Sequence, residues 1–110
     1  QNMKKIFIVL CFNLLFCNSV FANSGFSNSK ISAITIHDYW NVLVIELKSP
    51  VATGEGCAVS NAVVLQKNHY MFKEMYAALL SAFHAQTVIS GWANGCFIEY
   101  PILTRLDLRK

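Results

Sequence analysis

Residues 70–85 read YMFKEMYAALLSAFHA, and how this stretch from Tyr70 to Ala85 folds decides the architecture of the whole chain. Phe72, Met75, Tyr76, Leu79 and Phe83 stand at i, i+3, i+4, i+7 and i+11, the period of one face of an α-helix. Alanine, leucine, methionine and glutamate are also strong helix formers, so pattern and propensity agree. The spacing predicts one helix over Tyr70–Ala85 with its apolar stripe laid on a sheet. Its other sides carry Met71, Ala77, Ala78, Leu80 and Ala82, broken only by Lys73, Glu74, Ser81 and His84. A helix that is apolar nearly all round is normally covered on more than one side, which a small domain cannot do alone. Either a partner subunit covers the outer side, or the alanines serve helix propensity only.

Upstream of the helix the pattern is that of strands. From Ile31 to Lys48 β-branched residues alternate, with Ile34 and Ile36 on one face, then Leu43, Ile45 and Leu47 on another and Glu46 and Lys48 opposite. His37–Asn41 connects the two runs as a hairpin. Ser49–Gly56, with Pro50, Gly54 and Gly56, reads as a loop, and Cys57–Gln66 as a third strand centred on Val63, Val64 and Leu65. Downstream, Thr87–Asn94 is a strand carrying Val88, Ile89 and Trp92, closed by a turn at Asn94-Gly95. Pro101 opens a last strand in which Ile102, Leu106 and Leu108 alternate with Leu103, Arg105, Asp107 and Arg109. The class is mainly β with one helix (α+β). Five strands with the helix between the third and fourth is the element order of an OB-fold, a partly open barrel. A single domain of this kind is expected over residues 31–110. Asn23–Ser29, rich in Ser and Asn, reads with Lys30 as a flexible lead-in over residues 23–30.

The N-terminal segment has the grammar of an export signal. Lys4 and Lys5 form a positive n-region, Ile6–Phe16 an apolar h-region, and Val20-Phe21-Ala22 a small-x-small cleavage site, with Gln1 and Asn2 upstream of a start at Met3. Residues 1–22 are therefore expected to be signal peptide, and the chain to act in the periplasm or outside a Gram-negative cell. The apolar run is shorter than the about 20 residues that span a bilayer and is interrupted by Asn13 and Asn18. Leu14-Leu15-Phe16-Cys17 lacks the small residue that a lipoprotein box places before its cysteine.

Removing Lys4 and Lys5 from the nine Lys and Arg leaves seven against six Asp and Glu, a net charge of +1. So balanced a chain has no clustered cations for displacing counterions, which argues against nucleic acid or acidic lipid as partner. Cys57 and Cys96 are the cysteines left after the leader, and in an oxidising compartment a disulfide between them is the default. Closing that loop contributes roughly 4 kcal/mol in the chain-entropy treatment. A reactive thiol or metal pair would call for C-x-x-C spacing or a nearby His.

Catalysis finds little footing. His37, His69 and His84 are available bases, but none lies in a nucleophile motif, and His37 and its neighbour Asp38 point to opposite faces of a strand. Gly54-Glu55-Gly56 is too short for a phosphate loop. Nothing calls for a cofactor or a metal. Aromatic residues speak more clearly, since sugars and peptides bind on exposed rings beside a few polar groups. Tyr39 and Trp40 fall at the predicted hairpin tip, as a binding feature or as a hydrophobic cap on the barrel end. Trp92 and Tyr100 read as core or subunit interface.

Cys57-Ala58-Val59-Ser60, Phe72-Lys73-Glu74, the aromatic helix, the Thr87–Trp92 strand and Tyr100-Pro101 together resemble the B subunits of subtilase cytotoxin and typhoid toxin. The layout of the helix and last two strands is also similar to the cholera-type enterotoxin B subunit, and the chain resembles short exported Gram-negative proteins with the same helix, strand, Gly-Cys and Pro arrangement. The match covers about half of the chain after the leader. In the toxin families it implies an OB-fold assembled as a pentameric ring, helices around a central pore and glycans bound on the outer face. It sets Ser27 and Lys48 near positions that line the glycan pocket. The sequence departs from those subunits in lacking their tryptophan-bearing N-terminal motif. Their cysteine pairing also differs, because Val44 and Ile45 stand where the second strand would carry the partner of Cys57. The expectation is an exported, non-enzymatic binding module, a homo-oligomer of up to five copies, that recognises a glycan or protein surface through residues among Tyr39, Trp40, Ser27 and Lys48. The alternative is a periplasmic inhibitor or accessory protein that docks on a partner protein by the Tyr39-Trp40 hairpin.

Overall fold

The computed structural model describes residues 24–50 and 54–109. The leader expected over residues 1–22 lies outside the described residues, as do Asn23 and the centre of the loop expected over Ser49–Gly56. Six strands and one helix follow in order: β1 (Ser24–Ser29), β2 (Ile31–His37), β3 (Val42–Leu47), β4 (Ala62–Gln66), α1 (Phe72–Ala85), β5 (Ile89–Phe97) and β6 (Tyr100–Leu108). They form one mixed sheet in the order β1-β5-β6-β4-β3-β2. Neighbouring strands are antiparallel except β4 and β6, which run parallel with Val64 opposite Ile102. The sheet is not closed by a ladder between β1 and β2, yet these two edge strands are consecutive in the chain, with Lys30 alone between them.

The expected class, mainly β with one helix, is what the chain adopts, but with six strands where the pattern predicts five. The addition is β1, in the segment expected as a flexible lead-in. Its Ser and Asn side chains mostly face outward, while Phe26 is buried opposite Gly91 and Ser29 is buried with its hydroxyl at 3.3 Å from both the carbonyl and the N–H of Ser49. Asn28, at φ 57°, interrupts the β1–β5 register between Phe26 and Ser29. Asparagine tolerates this left-handed backbone better than most residues.

Helix α1 begins at Phe72, two residues later than its period predicts, and buries Met75, Leu79 and Ala82 against the sheet with Phe72 and Tyr76 half-covered beside them. These pack on Phe26, Ile31, Leu43, Ile45, Leu47, Val63, Leu65, Ile89 and Leu103. A side chain as fully buried as Leu79 contributes about 2 kcal/mol by leaving water. Gln86 ends the helix in the left-handed region (φ 55°), and its amide donates to the Phe83 carbonyl at 2.9 Å and the Ile31 carbonyl at 3.2 Å. The helix end is thereby tied to the start of β2.

Strand β3 is buried on both faces. Leu43, Ile45 and Leu47 enter the main core as their alternation predicts, while Val42 and Val44 join Ala62 and Val64 in a second cluster under Trp40, Val59, Phe97, Tyr100 and Ile102. Two boundaries differ from the sequence reading. The third strand starts at Ala62, so Cys57–Asn61 is irregular chain, and β5 runs through Asn94-Gly95 to Phe97. The β5–β6 turn is Ile98-Glu99, with φ of 46° and 67°, between the paired Phe97 and Tyr100. Two consecutive positive φ values suit a tight hairpin, but a β-branched residue enters that region at a cost. Gly91 is required by its surroundings, because a Cβ there would lie 2.2 Å from the Arg105 carbonyl oxygen. The Cys57–Cys96 disulfide forms as expected, with its Cα atoms 5.7 Å apart.

Candidate functional site

The outward face of β1, β5 and β6 is built by strand alternation. Phe26 in β1 and Gly91 and Ala93 in β5 point inward, so Gly25, Ser27, Ser90 and Trp92 point out. In register, Gly25 lies opposite Trp92, Trp92 opposite Arg105, and Ser90 opposite Asp107. The absent side chain of Gly25 leaves the indole edge open, its Cβ position being 3.9 Å from Trp92 Cε2. A shallow cleft of about 420 Å³ results, in which Ser27, Asn28, Ser90, Asp107 and Arg109 surround the Trp92 ring. Trp92 is 38% exposed, and Asp107 accepts a hydrogen bond from Arg105 Nε at 3.1 Å. The Asp107 carboxylate is thus held in place with a second oxygen to offer.

This arrangement suits polar recognition. An exposed indole gives a stacking platform, two hydroxyls and an amide give and accept hydrogen bonds, and a carboxylate with a guanidinium adds charge-assisted ones. Among the described residues no three His, Cys, Asp or Glu side chains gather as a metal site. His37 accepts the backbone N–H of Trp40 on Nδ1 at 3.3 Å and stacks on the Trp40 indole at 4.1 Å, and His69 accepts the backbone N–H of Met71 on Nδ1 at 3.0 Å.

The four side chains singled out from the sequence fall in three places. Ser27 lines the outer-face cleft. Lys48 is at the C-terminal end of α1, donating to Gln86 Oε1 at 2.6 Å, and is not among the residues lining that cleft. Tyr39 projects from the β2–β3 turn with 88% of its surface exposed, whereas Trp40 folds back over the second cluster, edge-on to Phe97 at 6.2 Å and tilted to Tyr100 at 6.3 Å. Trp92, read from sequence as core or interface, is exposed and lines the cleft, which sets aside the core reading. The small residues on either side of it, Gly91 and Ala93, carry the signal: in a strand they take the crowded inner face and send the tryptophan out.

A second carboxylate has a defined structural setting. Glu55 accepts a hydrogen bond from the Ser24 hydroxyl and another from the Gly95 N–H at 2.7 Å, and these, the serine first, hold its carboxyl below the usual glutamate range. No protein-family model matches this chain, and no curated protein or solved structure matches it either.

Proposed function

We propose that this protein is an exported, non-enzymatic binding module on an OB-fold, and that it recognises a glycan on the outer face of β1, β5 and β6. The observation that carries the reading is the cleft in which Ser27, Ser90, Asp107 and Arg109 surround the exposed ring of Trp92. Ser27, which the resemblance to toxin B subunits sets near a glycan pocket, is one of its walls. Export follows from the leader read over residues 1–22.

The OB-fold is supported by the way the sheet edges meet. Counting β1 and β2 as one strand bent at Lys30 leaves five strands, and the order β1-β5-β6-β4-β3-β2 then returns to its own beginning. The Lys30 carbonyl accepts the Lys48 N–H at 2.9 Å beside that bend. The helix lies between the third and fourth of those five strands. Leu80 is exposed on α1, as is Phe83 at the end of the stripe expected to face the sheet, and in this reading a second copy of the chain covers them within a ring. Light scattering of the chain after leader removal tests that part separately.

Glycan-array binding with the wild type and Trp92→Ala in parallel tests the main claim. Wild-type binding to a defined group of glycans, with a loss of about tenfold or more in the variant, is the expected result. Binding that is indifferent to Trp92, or absent from every glycan, would remove it. Docking on a protein partner is favoured instead by Tyr39, which makes no core contact at the hairpin tip. In that case one stoichiometric partner is retained from periplasm and is lost on Tyr39→Ala.

A further inference from the structure

A second cleft lies apart from the Trp92 face, between the tip of the β2–β3 hairpin and the first turns of α1. It encloses about 310 Å³, with Ile36, Val42, Leu43, Phe72 and Tyr76 as apolar walls. Small-molecule pockets run from about 300 to 1,000 Å³, so this one admits a single ring or a short acyl chain rather than an oligosaccharide. Ile36 is 68% exposed there, an apolar surface left to water.

Three polar residues, Asp38, Asn41 and Lys67, line the cleft beside His37, whose ring is already engaged by Trp40. The Lys67 N–H donates to the Asn41 carbonyl at 3.1 Å, which fixes where its side chain leaves the backbone. Its ammonium stands 4.9 Å from the centroid of the Phe72 ring, and among the described residues no carboxylate lies within 4.0 Å of it. The ring face attracts a cation but leaves its hydrogen-bond donors unused. A carboxylate would take them as charge-assisted bonds. Asp38, on the hairpin side, repels an anion and so directs it toward Lys67.

We infer that this cleft binds a small apolar carboxylic acid, its ring or acyl chain against Leu43, Phe72 and Tyr76 and its carboxylate on Lys67 Nζ. The site is independent of the glycan reading and survives its failure. Titration of the isotope-labelled protein with 3-phenylpropionate and with its uncharged amide, 3-phenylpropanamide, followed by amide chemical shifts, tests it. The acid is expected to move the Leu43, Lys67, Phe72 and Tyr76 signals and to bind about tenfold more tightly than the amide. Lys67→Met, which keeps an apolar stem over Phe72 and the backbone bond to Asn41, is expected to erase that preference. Equal affinity for acid and amide, shifts that lie elsewhere, or a preference that persists in Lys67→Met would overturn the proposal. Should the variant fail to fold, the comparison of acid with amide on the unaltered protein decides alone.

Discussion

Glu55 shows how much one side chain can fasten. Through Ser24 and Gly95 it joins the start of β1, the loop before Cys57 and the middle of β5. Both bonds favour the carboxylate over the acid, so the folded protein holds this proton less tightly than the unfolded chain. The stability contributed by Glu55 is therefore fully present above the ordinary glutamate range, about pH 4.3, and is lost as pH falls through the lower folded-state value. Thermal midpoints measured from pH 6 down to pH 3 are expected to fall more steeply for the wild type than for Glu55→Gln. Parallel curves for the two proteins would contradict the assignment. The same scale explains two misreadings of the sequence. Asn94-Gly95 has the composition of a turn yet lies inside β5, while Ile98-Glu99, with no turn chemistry, makes the reversal. There the tertiary pairing of Phe97 with Tyr100 overrides local preference. Trp92 leaves the core because Gly91 and Ala93, small enough for the crowded inner face, take that side of β5.

Among the elements, α1 was the most legible because its apolar residues keep a 3.6-residue period over several turns, and Met75 and Leu79 of that stripe are buried; at its end Ala82, expected on another side, is buried and Phe83 is exposed. Strands β2 and β3 and the hairpin between them were legible by alternation, with burial on the second face of β3 unforeseen because, Trp40 apart, the residues that cover it are distant in sequence. Strand β1 was not legible. Its composition is that of a loop, and one buried phenylalanine gives no period. Yet Phe26 is only 6% exposed and contacts the core beside Gly91. Phe26→Ala is expected to destabilise the fold by about 3 kcal/mol, the usual cost of emptying an aromatic core site. Urea denaturation measures this as a lower midpoint with similar slope. A lead-in that merely hangs from the domain would leave the midpoint where it was.

At the scale of the whole molecule, the disulfide and the sheet edges hold separate halves together. Cys57 and Cys96 are 39 residues apart and join the irregular chain before β4 to β5, enclosing β4 and α1 in one covalent loop. Removing the link frees the unfolded chain, and the Cys57→Ala/Cys96→Ala double variant is expected to lose roughly 4 kcal/mol. Chemical denaturation of the variant beside the oxidised wild type checks this, and equal midpoints would mean that the cross-link constrains nothing. The pairing was legible from the cysteine count outside residues 1–22, where Cys57 and Cys96 are the two that remain. How β1 reaches β5 while β2 remains beside β3 was not, since these consecutive strands pair at opposite edges of the sheet with Lys30 alone between them and no turn motif to announce it. The β1–β5 pairing is also what brings Ser27 to the same outer face as Trp92 and Asp107.

Recognition on that face is best tested by mapping amide chemical shifts on the labelled protein with the strongest glycan from the array. Saturable shifts centred on Ser27, Ser90, Trp92 and Asp107 are the predicted result. Shifts centred on Ile36, Lys67 and Tyr76, or on the exposed side of α1, would place sugar recognition elsewhere and contradict the account.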